Sequence, residues 1–423
     1  METYGKILVI AMPIFLLLVL LEKLYGVMTG KETYRNMDMI SSLSSGVTNV
    51  VKDVLGLSIG IISYGWMVKH LAIAHVQAGW LVYLIAFLVL DFSGYWVHRI
   101  NHEYNFFWNA HLIHHSSEDF NLACALRQSI SVFVRMFTFL LLPAALFGVP
   151  GEVIALVGPI HLFAQFWYHT QHIRKMGILE KIIVTPSHHR VHHAINPEYL
   201  DKNYGQIFIF WDIWFGSFQE ELDHVPPVYG ITRPVSTWNP IKINFQHIWL
   251  LMKDAWHTHS WKDTWRVWIM PTGWRPADVI DRYKVNKIDD VYHFDKYNTE
   301  SSFALNAWSW VQLVGLLVLT TYLFSHIALL NKTNAWYIYL YGIFIFLTVY
   351  AYTDLMDHNL NAWISELLKF SFAICVIIKT GSWFSMSQVW TILVIGYLLL
   401  SLVISLYFNF TFRASKLKMA YNH

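Results

Sequence analysis

HRINHEYNFFWNAHLIHH, residues 98–115, places five histidines close together in a chain that is otherwise strongly apolar. His98 and His102 are four residues apart, and His111, His114 and His115 have the offsets zero, three and four. Side chains three or four residues apart lie on the same side of a helix. The spacing therefore predicts two helices that each present imidazoles in one direction.

A third cluster repeats this spacing, because His189, His192 and His193 again have the offsets zero, three and four. Twelve of the 22 histidines fall between His98 and His193. A single histidine pair on a helix is most simply explained as a surface or core pair. Three clusters with one spacing, beside apolar segments where ionisable groups are costly, indicate function instead. They predict a shared metal centre.

The composition is typical of a polytopic membrane protein. Of the 423 residues, 55% are hydrophobic and 14% are charged, and the mean hydropathy is +0.38. Apolar stretches long enough to cross a bilayer as a helix occur near residues 5–24, 47–68, 79–97, 303–330, 334–353, 366–382 and 388–408. We therefore predict an all-α membrane protein whose first segment is retained as an anchor rather than removed as a signal peptide.

A helical hairpin is predicted between the second and third histidine clusters. Its arms, near 130–147 and 152–169, are separated by the turn-like sequence FGVPG at 147–151. Whether the hairpin spans the bilayer or is re-entrant, the chain returns to the side that it left. All three clusters can therefore meet there. Lys and Arg residues are concentrated on that side, which predicts that the site faces the cytosol.

Three regions follow from this organisation. Residues 1–78 form N-terminal membrane helices, 79–300 the histidine-bearing region with its hairpin and a cytosolic cap, and 301–423 C-terminal membrane helices. The polar stretch 171–300 is rich in tryptophan interleaved with charged residues. Such amphipathic aromatics favour the lipid headgroup layer, so we predict that the cap lies along the membrane surface. Ordinary loop packing is the alternative.

The ligand types limit the metal. Cys124 and Cys375 are the only cysteines, so a thiolate cage is excluded and nitrogen and oxygen must supply the ligands. The eight histidines of the three clusters exceed the needs of one zinc ion, which favours two metals. The Glu-x-x-His pairs of soluble di-iron bundles are missing from the clusters. Imidazole suits iron, zinc and copper, so the sequence alone leaves the ion open.

The three clusters HRINH (98–102), HLIHH (111–115) and HRVHH (189–193) resemble the histidine boxes of the membrane-bound fatty acid hydroxylase and sterol desaturase superfamily. Longer strings resemble its alkylglycerol monooxygenase family, among them HHSSEDFNLACALRQS (114–129), QFWYHT (165–170), DKNYG (201–205) and WDIWFGSFQEE (211–221). The resemblance implies two iron ions bound by His98, His102, His111, His114, His115, His189, His192 and His193, with His169 as a ninth ligand. It also implies that Glu103 serves the cofactor tetrahydrobiopterin.

Other polar residues are candidates for supporting roles. Asp91 is seven residues before His98 on the same helix face, which predicts that its carboxylate orients a histidine ring. His188 adjoins a predicted ligand but points about 100° away from it on a helix, which favours a supporting role. Asn203 could hold substrate or cofactor, or serve the fold, as could Arg127 and Gln128. Among the remaining histidines, His161 is a further supporting candidate and His172 a weaker ligand candidate.

The resemblance implies a monooxygenase that uses dioxygen to hydroxylate the carbon next to the ether oxygen of an alkylglycerol lipid, giving a fatty aldehyde and a glycerol derivative. The electron donor is pterin or another reductant, and no nucleic-acid partner is predicted. The protein is expected in the endoplasmic reticulum of a eukaryote or the inner membrane of a bacterium. Two alternatives stay open: a hydroxylase or desaturase of fatty acyl or sterol chains, and a metal-ion transporter with histidines along its path.

Overall fold

A computed structural model describes residues 2–74, 76 and 79–421, and the described residues form seventeen α-helices and one pair of two-residue strands. The N-terminal helices are α1 (Glu2–Met28), α2 (Asn36–Val54), α3 (Tyr64–Leu71), α4 (Trp80–Glu103) and α5 (Asn105–His115). The central helices are α6 (Leu142–Leu146), α7 (Gly151–Phe163), α8 (Pro186–His192), α9 (Phe210–Phe215), α10 (Pro240–His257), α11 (Trp261–Ile269) and α12 (Ala277–Ile280). The C-terminal helices are α13 (Phe303–Ser325), α14 (Ile327–Thr333), α15 (Trp336–Met356), α16 (Ala362–Thr380) and α17 (Gln388–Tyr421). The predicted boundary at residue 78 lies outside the described residues.

The chain is a multi-pass membrane protein. Within the described residues, five helices are long and apolar enough to cross a membrane: Gly5–Thr29, Trp80–Glu103, Phe303–Ser325, Trp336–Met356 and Gln388–Ala414. They correspond to five of the seven predicted spans.

The predicted span at 47–68 is wrong. α2 ends at Val54, and Gly56 then adopts a left-handed backbone with φ of 65°. The chain continues into β1 (Ile59–Gly60), which pairs in parallel with β2 (Val134–Arg135). The apolar run 55–63 is thus an extended connection rather than a helix.

The segment at 366–382 is helical, but α16 carries Glu366 and Lys369 as an almost fully buried ion pair at 2.6 Å, and it is not among the five apolar helices.

The predicted hairpin at 130–169 consists of short helices. α7 has 13 residues, which corresponds to about 20 Å of helix, too short for a bilayer core of about 30 Å. This length fits the re-entrant form of the hairpin rather than the spanning one.

The two largest apolar clusters among the described residues hold many of the helices together. One joins α1 and α2 to the C-terminal helices through residues such as Val19, Leu43, Leu316 and Phe344. The other packs α4 against the hairpin, with Ala86 and Val153 at its centre. α4 therefore leads from the hairpin core up to the histidines at its own C-terminal end.

The cap is attached to α5 by hydrogen bonds from α10. The Ile248 amide donates to Asn109 Oδ1 at 2.9 Å, and His247 Nε2 donates to the Asn105 carbonyl at 2.9 Å. Trp256, Trp261 and Trp265 are exposed on its outer face. Their exposure is compatible with the predicted contact with the membrane surface, which stays a prediction.

Candidate metal centre

Three short stretches of helix bring the histidine clusters together. α4 ends just after His102, where Tyr104 adopts an extended backbone (φ −122°, ψ 133°), and α5 begins at once in a new direction. Asn105 secures this corner, because its side-chain amide donates to the carbonyls of Val267 and Trp274 at 3.0 and 2.9 Å. α8 begins with a capping box at Thr185 and Pro186 in its first turn, which presents the third cluster to the other two.

The nine histidines predicted as ligands divide into two compact groups. We call them the five-histidine group (His98, His102, His111, His115 and His192) and the four-histidine group (His114, His169, His189 and His193). In each group the candidate ligand atoms all lie within 4.8 Å of one another. Among the described residues, these are the only two groups of His, Cys, Asp or Glu side chains placed to hold a metal ion.

In the four-histidine group the Nε2 atoms form a closed ring. The separations are 3.3 Å from His114 to His169, 2.8 Å from His169 to His189, 3.0 Å from His189 to His193, and 3.1 Å from His193 to His114. In the five-histidine group His115 Nε2 is 3.2 Å from that of His102 and 3.0 Å from that of His192. The Nε2 atoms of His98 and His111 lie 2.9 Å apart.

Backbone carbonyls fix the tautomer of four rings. The Nδ1 atoms of His98, His192, His114 and His169 lie 2.8, 2.9, 3.2 and 3.1 Å from the carbonyls of Tyr204, Lys202, Arg127 and Gln165, respectively. A carbonyl can only accept, so each Nδ1 carries the hydrogen. In the neutral ring Nε2 then carries a lone pair, and it points into the group.

These geometries fit metal binding better than hydrogen bonding between imidazoles. His114 and His169 both donate through Nδ1, so in their neutral forms two lone pairs face each other at 3.3 Å. A cation between them would convert this repulsion into ligation. Nitrogens about 2.1 Å from a metal ion lie about 3.0 Å apart at right angles and about 3.4 Å apart at the tetrahedral angle. The observed separations of 2.8 to 3.3 Å lie within about 0.2 Å of this range, so the donor set fits two metal ions.

Burial keeps the rings in the form that binds metals. It lowers the pKa of His189 and His193 well below the usual value of 6.5, and neighbouring imidazoles lower both further. Burial likewise lowers the pKa of His111 well below 6.5 and that of His114 to about 3. Neutral imidazole is the ligating form, so no proton has to be displaced near neutral pH.

A buried ion pair supports the four-histidine group. Arg127, whose carbonyl accepts from His114, donates from Nη2 to Asp38 Oδ1 at 2.7 Å. The guanidinium also donates to Ser42 and Ser116, and both charged side chains are almost fully buried. Arg127 thus acts on the site through the backbone, and its charge is neutralised by α2 rather than by a ligand.

A second buried carboxylate serves the same group from α1. Glu22 accepts hydrogen bonds from the Thr170 hydroxyl, the Tyr34 hydroxyl and, at 2.7 Å, the Leu122 amide. Thr170 follows His169 directly. The sequence analysis missed both Glu22 and Asp38, although an isolated acidic residue in an apolar helix such as Glu22 is a usable signal.

The five-histidine group is supported by the loop 201–205. Lys202 and Tyr204 supply carbonyls to two of its rings, and Asp201 Oδ1 lies 3.8 Å from His102 Nδ1. Asp201 and Asn203 adopt left-handed backbones, with φ of 57° and 56°. Asp212 holds the loop by accepting the amides of Tyr204 and Gly205, each at 2.7 Å.

Asn203 and His188 have local partners. The Asn203 amide donates to the carbonyls of His188 and Gln219 at 3.1 and 2.8 Å, and its oxygen accepts from the Gln219 amide. His188 belongs to the capping box at the start of α8. These contacts favour a structural role for Asn203 over binding of substrate or cofactor.

Asp91 contacts a different histidine from those of the two groups. Its carboxylate accepts from His161 Nε2 at 2.8 Å, from the amides of Ile207 and Phe208, and from Trp211 Nε1. Seven residues correspond to about 10.5 Å along a helix, so a shared face does not bring the carboxylate to His98. The link to the site is indirect, because Gln165 contacts His161 through its side chain and His169 through its carbonyl.

Glu103 and His172 lie outside both groups. Glu103 accepts from Arg99 Nε at 2.7 Å, and 39% of its side chain is exposed. This position near the end of α4 is accessible to a soluble cofactor, and its role stays a prediction. His172 packs edge-on against Tyr25, away from the two groups.

A cavity of about 320 Å³ adjoins the five-histidine group. Its histidine wall is made by His102, His115, His192 and His193, and its other lining residues include Trp108, Leu112, Asp201, Ile231, Arg233, His247, Thr272 and Lys287. Apolar side chains, two cationic side chains and the carboxylate of Asp201 thus share a small space with the histidines.

Comparisons with known proteins agree with this site. Residues 83–217 match the family model described as fatty acid hydroxylase. The chain is 35% identical to alkylglycerol monooxygenase of Homo sapiens over 364 residues, which cover 85% of this chain and 80% of the human protein. It is 36% identical to the Xenopus tropicalis protein of that name, over 62% of this chain and 58% of the relative. It is 37% identical to the Danio rerio protein of that name, over 63% of this chain and 59% of the relative. No solved structure matches the chain.

Proposed function

We propose a function from one premise: the chain belongs to the alkylglycerol monooxygenase family, and its residues 83–217 match the fatty acid hydroxylase model. The proposed reaction hydroxylates the carbon next to the ether oxygen of an alkylglycerol lipid. One C–H bond becomes C–OH, the second oxygen atom of dioxygen leaves as water, and two electrons and two protons are consumed. The resulting hemiacetal breaks its bond to the ether oxygen and gives a fatty aldehyde and a glycerol.

The pairing of a five-histidine group with a four-histidine group is the observation that carries this proposal. Two iron ions bound there would supply, together with dioxygen, the oxidant that an unactivated C–H bond requires. The protein's own contribution is geometric. Carbonyls of 127, 165, 202 and 204 hold four rings with Nε2 inward, and burial keeps neighbouring rings neutral. Both effects preorganise the ligands.

Residues 79–300 are the proposed catalytic region, with the site on the cytosolic side of the membrane. The electrons are proposed to come from tetrahydrobiopterin bound near Glu103, whose pairing with Arg99 places a carboxylate and a guanidinium on one accessible surface. A lipid substrate fits this location, because its headgroup can enter the cytosolic cavity while its chain stays in the bilayer.

The test is aldehyde release by purified protein in lipid nanodiscs, with iron measured by mass spectrometry. We expect about two iron ions per chain and pterin-dependent release of hexadecanal from 1-O-hexadecylglycerol. The acyl ester of the same glycerol is the control substrate, because it lacks an ether carbon and should give no aldehyde. Protein loaded with iron that leaves the ether intact but hydroxylates or desaturates an acyl or sterol chain would refute the assignment. Transport of metal ions without lipid turnover would refute it as well.

A further inference from the structure

The cavity beside the five-histidine group has a polar side that the reaction itself does not require. Arg233, His247 and the exposed Lys287 line it together with the histidines. The carboxylate that also lines it, that of Asp201, lies 3.8 Å from His102 Nδ1. Trp108 and Leu112 contribute apolar surface between them. A volume of about 320 Å³ is at the lower end for ligand sites. It suits a headgroup rather than a long alkyl chain.

Arg233 brings a positive charge that no carboxylate neutralises within the described part of the chain. Its Nη2 donates to the carbonyl of Gly273 at 2.8 Å, and no ion pair is formed. The nearby Asp254 is already engaged by Arg275, at 2.6 Å from Nε and 2.7 Å from Nη2. The guanidinium therefore keeps donors free for an anion, and its fork geometry suits a phosphate.

His247 brings a hydrogen-bond acceptor to the same cavity. Its Nε2 faces the Asn105 carbonyl at 2.9 Å, so Nε2 must carry the hydrogen. Nδ1 has no partner among the described residues and carries the lone pair of the neutral ring. Burial, with a further contribution from the positive charge of Arg233, lowers the pKa of His247 to about 4. The ring is therefore an acceptor near neutral pH.

We propose that this cavity is the headgroup site of the enzyme, where His247 Nδ1 accepts a hydrogen bond from a glycerol hydroxyl and Arg233 binds a phosphate on the same headgroup. The inference rests on the proposed function and assigns to it the two residues that would select the headgroup. The reacting carbon is bonded to the ether oxygen, so the glycerol must lie within a few bonds of the histidine wall. The cavity is the space that adjoins that wall.

Binding of two lipids distinguishes this proposal from a neutral headgroup site. 1-O-hexadecylglycerol and its 3-phosphate are titrated into the full-length protein in nanodiscs without dioxygen, and Kd is measured for each. Loss of a charge-assisted hydrogen bond is worth roughly a factor of ten to a hundred. Arg233→Gln should therefore raise the ratio of the phosphate Kd to the neutral Kd by that factor. Lys262→Gln, an exposed charge on α11 outside the cavity, is the matched control and should leave the ratio unchanged.

Two further arms separate the possible outcomes. Inorganic phosphate should compete with the phosphate-bearing lipid only weakly, and strong competition without lipid selectivity would indicate a site for free phosphate and overturn the proposal. A 2-O-methyl analogue removes the hydroxyl, so His247→Gln should weaken binding of the parent lipid and not of the analogue. An unchanged Kd ratio in Arg233→Gln refutes the headgroup site even if aldehyde is released. Absence of aldehyde from every ether lipid refutes the proposed function, whatever the binding data show.

Discussion

Replacing Asp38 with asparagine is expected to lower the free energy of unfolding by about 3–5 kcal/mol, the usual cost of leaving one partner of a buried ion pair uncompensated. Asp38 and Arg127 are each 2% exposed, and their closest atoms are 2.7 Å apart. The other partners of the guanidinium are the hydroxyls of Ser42 and Ser116, which carry no charge. Asparagine keeps the size of the side chain, so the loss would report the charge.

Asp223→Asn is the control for an exposed ion pair. Asp223 is 94% exposed and lies 3.2 Å from Lys175, which is itself 36% exposed, so the pair should contribute less than about 1 kcal/mol. Reversible unfolding in mixed micelles of mild detergent and dodecyl sulfate measures both variants. Metal content is the second measurement, because Arg127 also fixes the tautomer of His114 through its carbonyl.

A double variant separates charge from packing. Asp38→Leu combined with Arg127→Met removes both charges but keeps the backbone carbonyl at 127, and it should be less destabilised than Asp38→Asn. Two results would refute the claim that Asp38 neutralises a buried charge. One is a free energy of unfolding for Asp38→Asn within 1 kcal/mol of the wild type, and the other is a double variant less stable than Asp38→Asn.

Three further changes probe the site and its surroundings. His169→Ala should lower the iron content from about two ions to at most one per chain, because it removes a quarter of the four-histidine group, whereas the exposed His259→Ala should leave it unchanged; equal losses would show a general effect on folding. Glu103→Gln should raise the KM for tetrahydrobiopterin without loss of iron, and an unaltered KM would remove Glu103 from the cofactor site. The pKa of His247 is about 4 in the folded chain, against the usual value of 6.5. Between these two pH values the unfolded chain therefore binds the proton and the folded chain does not. Its contribution to stability is therefore complete above pH 6.5 and falls by about 3 kcal/mol towards pH 4. His247→Gln should flatten the unfolding free energy over that range, and an identical pH profile would contradict the assigned shift.

The sequence predicted which histidines come together because helical spacing is a local property. His98 and His102 needed only a continuous α4 to share a face, and the return of the hairpin brought His189 to the others. What spacing could not predict is the set of carbonyls that orients the rings. Those of Lys202 and Tyr204 depend on left-handed backbones at Asp201 and Asn203, which no periodicity reveals.

The predicted span at 47–68 is wrong, and Asp91 contacts the ring of His161 rather than that of His98. Hydropathy counts apolar residues but not backbone conformation, so the run at 55–63 was predicted as membrane helix although Gly56 and the pairing of Ile59–Gly60 make it extended. The interpretation of Asp91 considered the helix face but not the rise along the axis, which separates it from His98 by two turns. The first case depends on backbone conformation and the second on the rise along a helix axis, and neither is encoded in hydropathy or helical periodicity.

Helix geometry also explains why each His-x-x-His-His box serves both groups. Residues four apart lie within about 40° of each other around the axis, whereas consecutive residues differ by about 100°. His111 and His115 accordingly stay together in the five-histidine group, and His114 belongs to the other. The third box shows the opposite division: His189 and His193 belong to the four-histidine group, and His192 belongs to the five-histidine group. Consecutive histidines in both boxes, His114 with His115 and His192 with His193, thus belong to opposite groups. Two boxes of this spacing therefore fit two adjacent centres better than one, because a single ion would leave the imidazoles of one group facing each other without a metal ion.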